Sequence, residues 1–218
     1  MSVITIERKV LEKNDQVAVR NRSLFKERGI YALNLVSSPG AGKTSILEKT
    51  FQELQTEMHM AVIEGDVQTD LDAQRVSRYG VPVVQIVTLG GCHLDAGLVQ
   101  DALAKLDLTG VEMLFIENVG NLVCPSNYDL GEAMKVVVLS TTEGDDKPLK
   151  YPAMIRNSSI LLINKTDLIP YVSCDLNVLR GNALKINPDL KIFEMSCVTG
   201  EGMSDWCDWL RKKDRSLQ

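Results

Sequence analysis

Seven short apolar runs recur along the chain, and segments with a helical pattern lie between them. The runs occupy residues 31–36, 60–66, 81–87, 113–120, 135–141, 159–165 and 191–197. Several are continuously apolar, which is typical of strands that are buried on both faces of a parallel sheet. The pattern therefore predicts a parallel sheet in the core of the protein.

The segments between the runs predict the helices that connect the strands. SILEKTFQELQTEM (45–58) and HLDAGLVQDALAKL (93–106) repeat apolar residues at spacings of three and four, as crossover helices do. The alternation predicts an α/β fold with a mostly parallel, doubly wound sheet and helices on both faces. No linker-like segment divides the chain, so we expect one domain over residues 1–218. Ligands of such folds bind at the carboxyl ends of the strands.

Residues from about 6 to 28 predict a charged amphipathic helix that precedes the first strand. Its apolar residues are Val10, Val17, Val19 and Leu24. This pattern favours a helix packed on its own domain over an element that binds a partner. The role of the helix stays open.

Composition narrows the possible classes of function. The formal net charge is −5, and no run of like charges stands out, which argues against a nucleic-acid partner. Apolar stretches are too short to cross a bilayer, and the start MSVITIERKVLEKND lacks the pattern of a signal peptide. Five cysteines, an odd and scattered set, predict reduced thiols. We therefore expect a cytoplasmic protein that does not associate with membranes.

A phosphate-binding loop follows the first run directly. SSPGAGKTS (37–45) ends in the Gly-Lys-Thr of the P-loop motif, although Ser37 stands where the motif has its first glycine. Small residues let successive backbone N–H groups turn toward the phosphates at a helix N-terminus. Lys43 is expected to reach the β- and γ-phosphates, and the hydroxyl of Thr44 to bind Mg²⁺. The predicted nucleotide-binding residues of the loop are Pro39, Gly40, Ala41, Gly42, Lys43, Thr44 and Ser45.

The base of the nucleotide is predicted from the segment INKTDL, about 120 residues after the loop. Asp167 can accept hydrogen bonds from both donors of guanine, whereas adenine offers no matching donors. Asn164 and Lys165 complete the motif. Ser196 and Cys197, in MSCVTGEG, lie where a loop can close over the base. The sequence thus predicts GTP as the nucleotide.

Carboxylates at two further strand ends complete the phosphate site. Asp66 and Glu117 are expected to hold Mg²⁺ or its water ligands and, with Lys43, to be the catalytic residues, while Gly120 offers an N–H to the γ-phosphate. No residue that positions the attacking water stands out. Asp72 is only a candidate for that role.

The segment GGCHLDA sets a cysteine beside one of only two histidines in the chain. Cys92 and His93 fall at the start of a predicted helix, where the helix dipole is expected to lower the pKa of a thiol. Cys124 follows the Glu117 strand, and two thiolates with an imidazole suit Ni²⁺ or Zn²⁺. A purely structural Cys-His pair is the alternative. Two other cysteines, Cys174 and Cys207, are predicted to be ordinary buried residues. The second histidine, His59, has no obvious ligand neighbours.

The segments SSPGAGKTS, EGDVQTDLDAQR, GGCHLDA, FIENVGNLVCP, STTEGDDKPLKYP and INKTDL together resemble the HypB family, GTPases of [NiFe]-hydrogenase maturation. The resemblance spans essentially the whole chain. It implies a GTPase that forms a homodimer with GTP bound and holds nickel or zinc at the interface through Cys92, His93 and Cys124. It also implies the hydrogenase precursor and other nickel-maturation proteins as partners.

Two departures and two alternatives limit this interpretation. The chain lacks the N-terminal cysteine motif and the histidine-rich tract of some relatives, so the resemblance does not extend to a second nickel site. Urease-type accessory GTPases (UreG) share the nucleotide motifs but carry Cys-Pro-His at the metal site. The other alternative is a GTP-gated assembly module in which hydrolysis is incidental. A metabolic P-loop kinase is disfavoured, since the Asn-Lys-Thr-Asp segment selects guanine.

Overall fold

A single sheet of seven parallel strands forms the centre of the computed structural model, which describes residues 6–68 and 71–214. The order across the sheet is β3-β2-β4-β1-β5-β6-β7. The strands are β1 (Tyr31–Ser37), β2 (Met60–Asp66), β3 (Val83–Val87), β4 (Met113–Glu117), β5 (Met134–Ser140), β6 (Ile160–Asn164) and β7 (Lys191–Glu194). The predicted α/β class and parallel sheet are confirmed.

In the described part of the chain, eight helices pack around this sheet. They are α1 (Ile6–Arg28), α2 (Lys43–Leu54), α3 (Leu71–Ser77), α4 (Ala96–Leu103), α5 (Lys147–Lys150), α6 (Pro152–Arg156), α7 (Leu176–Ile186) and α8 (Met203–Asp214). Short 3₁₀ turns span Cys124–Asn127, Thr141–Glu143 and Thr166–Tyr171. Among the described residues, no helix is both long and apolar enough to span a membrane.

Alternate residues of the strands pack against opposite layers of helices. On β1, Leu33 and Leu35 join the core beneath α2 and α8, whereas Ala32 faces the layer that contains α1 and α4. Val36 belongs to a third cluster beneath α6 and α7. Burial on both faces explains why the strands are continuously apolar.

The strand order brings the sequence motifs to one edge of the sheet. β1 lies between β4 and β5, and all the strands are parallel, so the loops after β1, β2, β4 and β6 leave from the same edge. Glu117 is in register with Leu35 on β1 and with Glu64 on β2. Binding at this edge is the rule for open α/β sheets.

Some predicted boundaries were wrong for local reasons. β3 begins after Pro82 rather than at Val81, and Pro82 itself supplies only a carbonyl, which accepts from the amide of Val62. α4 begins at Ala96 rather than near His93, because the side chain of Asp95 accepts the amide of Leu98 and caps the helix there. The single-domain prediction over 1–218 includes residues 1–5, 69–70 and 215–218, which lie outside the described residues, so it stays a prediction.

The buried face of α1 differs from the predicted apolar one. Val10 and Val19 are exposed, whereas the residues that pack inward follow a helical spacing and include two asparagines. The buried residues of α1 are Asn14, Ala18, Asn21 and Phe25. The helix therefore packs on its own domain, as the sequence favoured, but through a face that is half polar.

Candidate functional site

The phosphate loop connects β1 to α2 and takes the conformation that its glycines allow. Gly40 and Gly42 both have a positive φ, and Gly42 caps the N-terminus of α2. A side chain at Gly42 would also collide with Asn164, since its Cβ would lie 2.3 Å from Nδ2. Only glycine therefore fits between the phosphate loop and the end of β6.

The side chain of Lys43 is hydrogen-bonded to Ser37, the residue that departs from the P-loop motif. The Lys43 ammonium donates to Ser37 Oγ at 2.9 Å and lies 3.9 Å from Glu117 Oε1. All three side chains are buried. Ser37 thus gives the ammonium group a hydrogen-bond acceptor that a glycine would not supply.

A cavity of about 470 Å³ lies beside the loop, and most of the predicted phosphate-site residues line it. Asp66, Glu117 and Gly120 all line it. Gly120 packs so closely against the loop that an added Cβ would lie 3.0 Å from Pro39 Cα. Six residues of the phosphate loop line the cavity: Pro39, Gly40, Gly42, Lys43, Thr44 and Ser45.

The residues at the centre of this cavity fit a magnesium ion. The Thr44 hydroxyl donates to Glu117 Oε1 at 2.9 Å, and Asp66 adds a second carboxylate to the same cavity. Oε2 of Glu117 is buried and receives no hydrogen bond from an N–H, hydroxyl or ammonium group in the described part of the chain. A set of hydroxyl and carboxylate oxygens is what Mg²⁺ prefers.

A second buried carboxyl, which the sequence analysis missed, lies against Glu117. Glu64 is in register with Glu117 on the neighbouring strand and is almost fully buried. Burial and the adjacent Glu117 carboxyl raise the pKa of Glu64 well above its usual value. Burial also raises the pKa of Glu117, although Lys43 and Thr44 oppose that shift. A glutamate within the otherwise apolar run MAVIEGD was the available signal.

Asp72, the candidate for positioning water, lies on α3 in the wall of the same cavity. Its carboxylate forms an ion pair with Arg75 at 3.1 Å. The Arg75 guanidinium also contacts Glu48 and donates to Ser45 Oγ at 3.3 Å. The structure thus places Asp72 in the cavity that also contains Lys43 and Glu117.

The predicted base-binding motif is tied directly to the phosphate loop. Asn164 Nδ2 donates to the carbonyl of Ala41 at 3.0 Å, and Lys165 Nζ donates to the carbonyl of Gly40 at 2.7 Å. Lys165 has a φ of 63°, which is uncommon for a residue other than glycine. The hydroxyl of Thr141 donates to its carbonyl and helps to hold this conformation.

The acidic residue of the motif is fixed by the loop after β7. Ser196 Oγ donates to Asp167 Oδ1 and accepts from the amides of Val198 and Thr199. Burial raises the pKa of the Cys197 thiol to about 11, which suits a structural cysteine. Asp167, Ser196 and Cys197 do not line the phosphate cavity. They lie together and form a separate end of the predicted nucleotide site.

The three predicted soft ligands form one cluster. The ligand atoms of Cys92, His93 and Cys124 all lie within 4.8 Å of one another, and Cys92 Sγ lies 3.5 Å from His93 Nδ1. Within the described ranges, this is the one group of three such residues able to hold a metal ion. The ring of Tyr128 packs on His93 with 4.0 Å between centroids.

Two loops carry the ligands, and we call them the first metal loop (residues 88–95) and the second metal loop (residues 118–130). The prediction that a helix dipole lowers the thiol pKa was wrong, because α4 begins only at Ala96. A hydrogen bond with Cys124, together with burial, instead raises the pKa of Cys92. Burial lowers the pKa of His93, which favours the neutral imidazole that binds metals.

The remaining cysteines and histidine lie outside this cluster. Cys207 is buried, and burial raises the pKa of its thiol to about 12, as expected for a core residue. Cys174 was predicted to be buried but is only partly so. His59 is exposed and contacts the carbonyl of Gly110 at 3.3 Å.

A buried polar side chain links the end of β4 to the first metal loop. Asn118 follows Glu117, and its Oδ1 accepts the amides of both Leu94 and Val119 at 3.0 Å. Its Nδ2 donates to Asn34 on β1. The strand that supplies Glu117 to the phosphate site is therefore bonded to the residue that follows His93.

A buried lysine supports the second metal loop. Lys135 Nζ donates to the carbonyls of Pro125, Ser126 and Tyr128 at 3.0 to 3.1 Å. Burial lowers the pKa of Lys135, and the nearby carboxyl of Glu132 opposes that shift. Sequence reasoning missed both Asn118 and Lys135, since each is an ordinary residue that no motif marks.

The comparison with family models gives one match that covers most of the chain. Residues 31–194 match the model described as "CobW/HypB/UreG, nucleotide-binding domain". A similar protein is "Hydrogenase maturation factor HypB" of Azotobacter vinelandii, which is 51% identical over 211 residues. That alignment covers 97% of this chain and 70% of the relative.

Two solved structures share the fold over nearly the full length. A crystal structure of "Hydrogenase Maturation Factor HypB" from Archaeoglobus fulgidus has a TM-score of 0.88 and 38% identity, and the match covers 95% of this chain and 100% of that one. A structure titled "HypB from Helicobacter pylori in complex with nickel" also has a TM-score of 0.88 and 38% identity, with coverages of 94% and 96%. This similarity confirms the P-loop NTPase fold.

Proposed function

Since the chain belongs to the CobW/HypB/UreG family of nucleotide-binding domains, among its HypB hydrogenase maturation factors, we propose that it is a GTP-hydrolysing metallochaperone. It binds nickel, or zinc in its place, and assists the insertion of nickel into [NiFe]-hydrogenase. It acts in the cytoplasm with the hydrogenase precursor and other nickel-maturation proteins. The Helicobacter pylori structure, which is a complex of HypB with nickel, supports the choice of metal.

One observation carries this proposal. The cluster of Cys92, His93 and Cys124 lies on loops that adjoin the strand end beside the phosphate loop, and Cys124 follows Glu117 by only seven residues. The second metal loop begins at Asn118, directly after β4, and includes Gly120 in the wall of the phosphate cavity. A change at the γ-phosphate can therefore reach a metal ligand through one short stretch of backbone.

The nucleotide end supplies the groups that phosphate transfer to water requires. The phosphate loop presents backbone N–H groups and the Lys43 ammonium to the β- and γ-phosphates, where negative charge grows in the transition state. Asn164 and Lys165 brace that loop through the carbonyls of Ala41 and Gly40. Ser196 orients Asp167, whose carboxylate accepts hydrogen bonds from the N–H groups of guanine.

Magnesium fits beside these groups and would be held by Thr44, Glu117 and Asp66. When bound, the ion supplies positive charge to the oxygens of the β- and γ-phosphates. The chain's own residues hold its place: the Thr44 hydroxyl is already directed at the Glu117 carboxylate, and Lys43 balances the charge of Glu117.

The metal end favours a dimer, because the described residues of one chain bring together three ligands of this kind and no fourth. A tetrahedral or square-planar site needs four, and a two-fold contact presents every ligand twice across its axis. We propose that GTP promotes this dimer with the metal between the subunits and that hydrolysis loosens it for delivery. A transition metal is then the cargo of the cycle rather than a permanent cofactor.

The test is a titration of nickel and of zinc into the full chain, with GDP or a non-hydrolysable GTP analogue, alongside analytical sedimentation. Cys92→Ala and Cys124→Ala should each weaken metal binding by about ten-fold or more, because each removes a thiolate ligand. GTP affinity should stay the same. Cys174→Ala is the matched control, since this partly exposed cysteine lies outside the cluster.

Two results would contradict the proposal. Unchanged metal affinity in both cluster variants would return Cys92 and His93 to a structural role. Slow GTP hydrolysis, together with GTP-promoted assembly that is the same with and without metal, would instead support the GTP-gated assembly module.

A further inference from the structure

We propose that α1 is a clamp that holds the two metal loops at the spacing that the ligand cluster needs, with Asn14 and Asn21 as its positioning residues. The inference rests on the metal binding proposed above and assigns a role to the helix that the sequence left open. Both asparagines lie on the buried face of α1, and each hydrogen-bonds to main-chain groups on both sides of the cluster.

Asn14 joins the two loops through its two amide atoms. Its Oδ1 accepts the amide of Ala96, the residue that follows the first metal loop, at 2.8 Å. Its Nδ2 donates to the carbonyl of Asp129 in the second metal loop, also at 2.8 Å. One side chain thus fixes both loops to the same point on the helix.

Asn21 repeats the arrangement two helical turns further along the same face. Its Nδ2 donates to the carbonyl of Ala96 at 2.9 Å and to the carbonyl of Leu130 at 3.0 Å. The neighbouring Arg22 adds an ion pair, because its guanidinium donates to both carboxylate oxygens of Asp129 at 2.7 Å. Together, these residues hold the backbone on each side of the cluster.

Close packing fixes the height of the helix above the second metal loop. Gly131 follows that loop with a φ of +92°, and an added Cβ would lie 2.7 Å from both the carbonyl of Ala18 and the Cβ of Asn21. Ala18 itself is fully buried. A side chain at Gly131, or a larger one at Ala18, would force the helix away from the loops.

The clamped residues lie next to the ligands. Asp129 follows Tyr128, whose ring packs on His93, and Ala96 lies three residues after His93. The hydrogen bonds of α1 therefore control both the backbone after His93 and the ring that packs against it. An apolar residue at either asparagine would leave buried N–H and C=O groups unpaired, which favours movement of the loops.

The experiment compares Asn14→Leu and Asn21→Leu with Asn182→Leu in the full chain. Asn182 on α7 is a matched control, because it is 7% exposed, as Asn14 is, and donates to the carbonyl of Asp145 far from the cluster in sequence and on a different element. Zinc and nickel are titrated against a competing chelator, GTP affinity is measured by calorimetry, and thermal unfolding is followed by circular dichroism.

Both clamp variants should bind zinc and nickel about ten-fold more weakly than the parent, as expected when groups that orient metal ligands are lost. GTP affinity should stay within two-fold. Asn182→Leu should lower the melting temperature without changing metal affinity. Cobalt(II) provides a spectroscopic readout, since displaced ligands should shift its absorption bands in the clamp variants alone.

Asn14→Asp keeps an acceptor for the amide of Ala96 but turns a carboxylate oxygen toward the carbonyl of Asp129, so its metal affinity should also fall below that of the parent. This variant covers the case in which Asn14→Leu does not fold. Parent-like metal affinity in both clamp variants, or an equal loss in Asn182→Leu, would overturn the clamp alone. A parent protein that binds neither zinc nor nickel would overturn the proposed function and the clamp together.

Discussion

The nucleotide region and the metal loops lie at the same edge of the sheet but are built in different ways. In the nucleotide region, the functional side chains hold one another: Lys43 donates to Ser37, Thr44 to Glu117, and Asn164 to the carbonyl of Ala41. Around the metal cluster, Cys92 contacts both His93 and Cys124, but distant residues that are not ligands fix the backbone of the two loops. The first region carries its own supports, whereas the second depends on supports from elsewhere.

This difference shows where function can be changed without loss of the fold. Within the nucleotide region, a substitution of one functional residue removes both a chemical group and a support for its neighbour. In the metal loops, the chemistry and the supports lie on different residues, so each can be altered separately. Substitutions confined to the nucleotide region should therefore leave metal affinity in nucleotide-free protein unchanged, and the first of the three substitutions below tests that expectation directly.

The largest effect is expected for Lys43→Ala. GTP hydrolysis should fall by more than about 100-fold, because the ammonium group that neutralises charge at the γ-phosphate is lost. Phosphate release measures the rate, and circular dichroism should show an intact fold. A metal titration without nucleotide is the companion measurement, and a ten-fold loss there would break the separation between the two regions.

An intermediate effect is expected for Asp167→Asn at the other end of the nucleotide site. GTP binding should weaken by about 2 kcal/mol, or about thirty-fold, because the amide turns a donor toward the donors of guanine. Xanthine nucleotides should bind better than they do to the parent. Calorimetry with GTP, XTP and ATP distinguishes the outcomes, and parent-like GTP affinity would show that the guanine assignment is wrong.

The smallest effect is expected for Ser37→Ala, which removes only the hydroxyl that holds Lys43. GTP should bind about two- to three-fold more tightly, because the phosphates no longer have to break a hydrogen bond between Ser37 and the Lys43 ammonium group in order to bind. The same calorimetric titration measures the change. Weaker binding would mean instead that Ser37 orients Lys43 for the phosphates and that the support is needed throughout the cycle.

Sequence reasoning reached the parts of the molecule whose constraints are local. The phosphate loop could be predicted because the conformation of one short turn requires its glycines and places its Lys-Thr pair at the start of a helix. The metal cluster was found because Cys92 and His93 are adjacent and Cys124 follows a strand end. Bringing them within 4.8 Å depended on a strand order that places β3 and β4, the strands before the two metal loops, on either side of β2.

The supports could not be predicted, because their partners are main-chain groups of distant segments. No motif marks Asn14 or Asn21, and of the four predicted apolar residues of α1, Val10 and Val19 are exposed while the two asparagines are buried. Lys135 looked like the polar start of a strand, yet its ammonium group is surrounded by loop carbonyls. Glu64 is similar: its raised pKa results from burial and from the carboxyl of Glu117 on the neighbouring strand, and only the strand register identifies that neighbour.

The bridge from Asn14 to Asp129 also constrains the order in which the protein folds. The two residues are 115 positions apart, and the contact between Asn21 and Leu130 spans 109 positions. Contacts of such long range form late, after closer pairings have offset the entropy of closing the intervening chain. On a ribosome, α1 would emerge before β4 but would have no docking surface until β4 and the loop after it had been synthesised. The cluster of Cys92, His93 and Cys124 would therefore reach its final arrangement only once the chain is folded as far as β5.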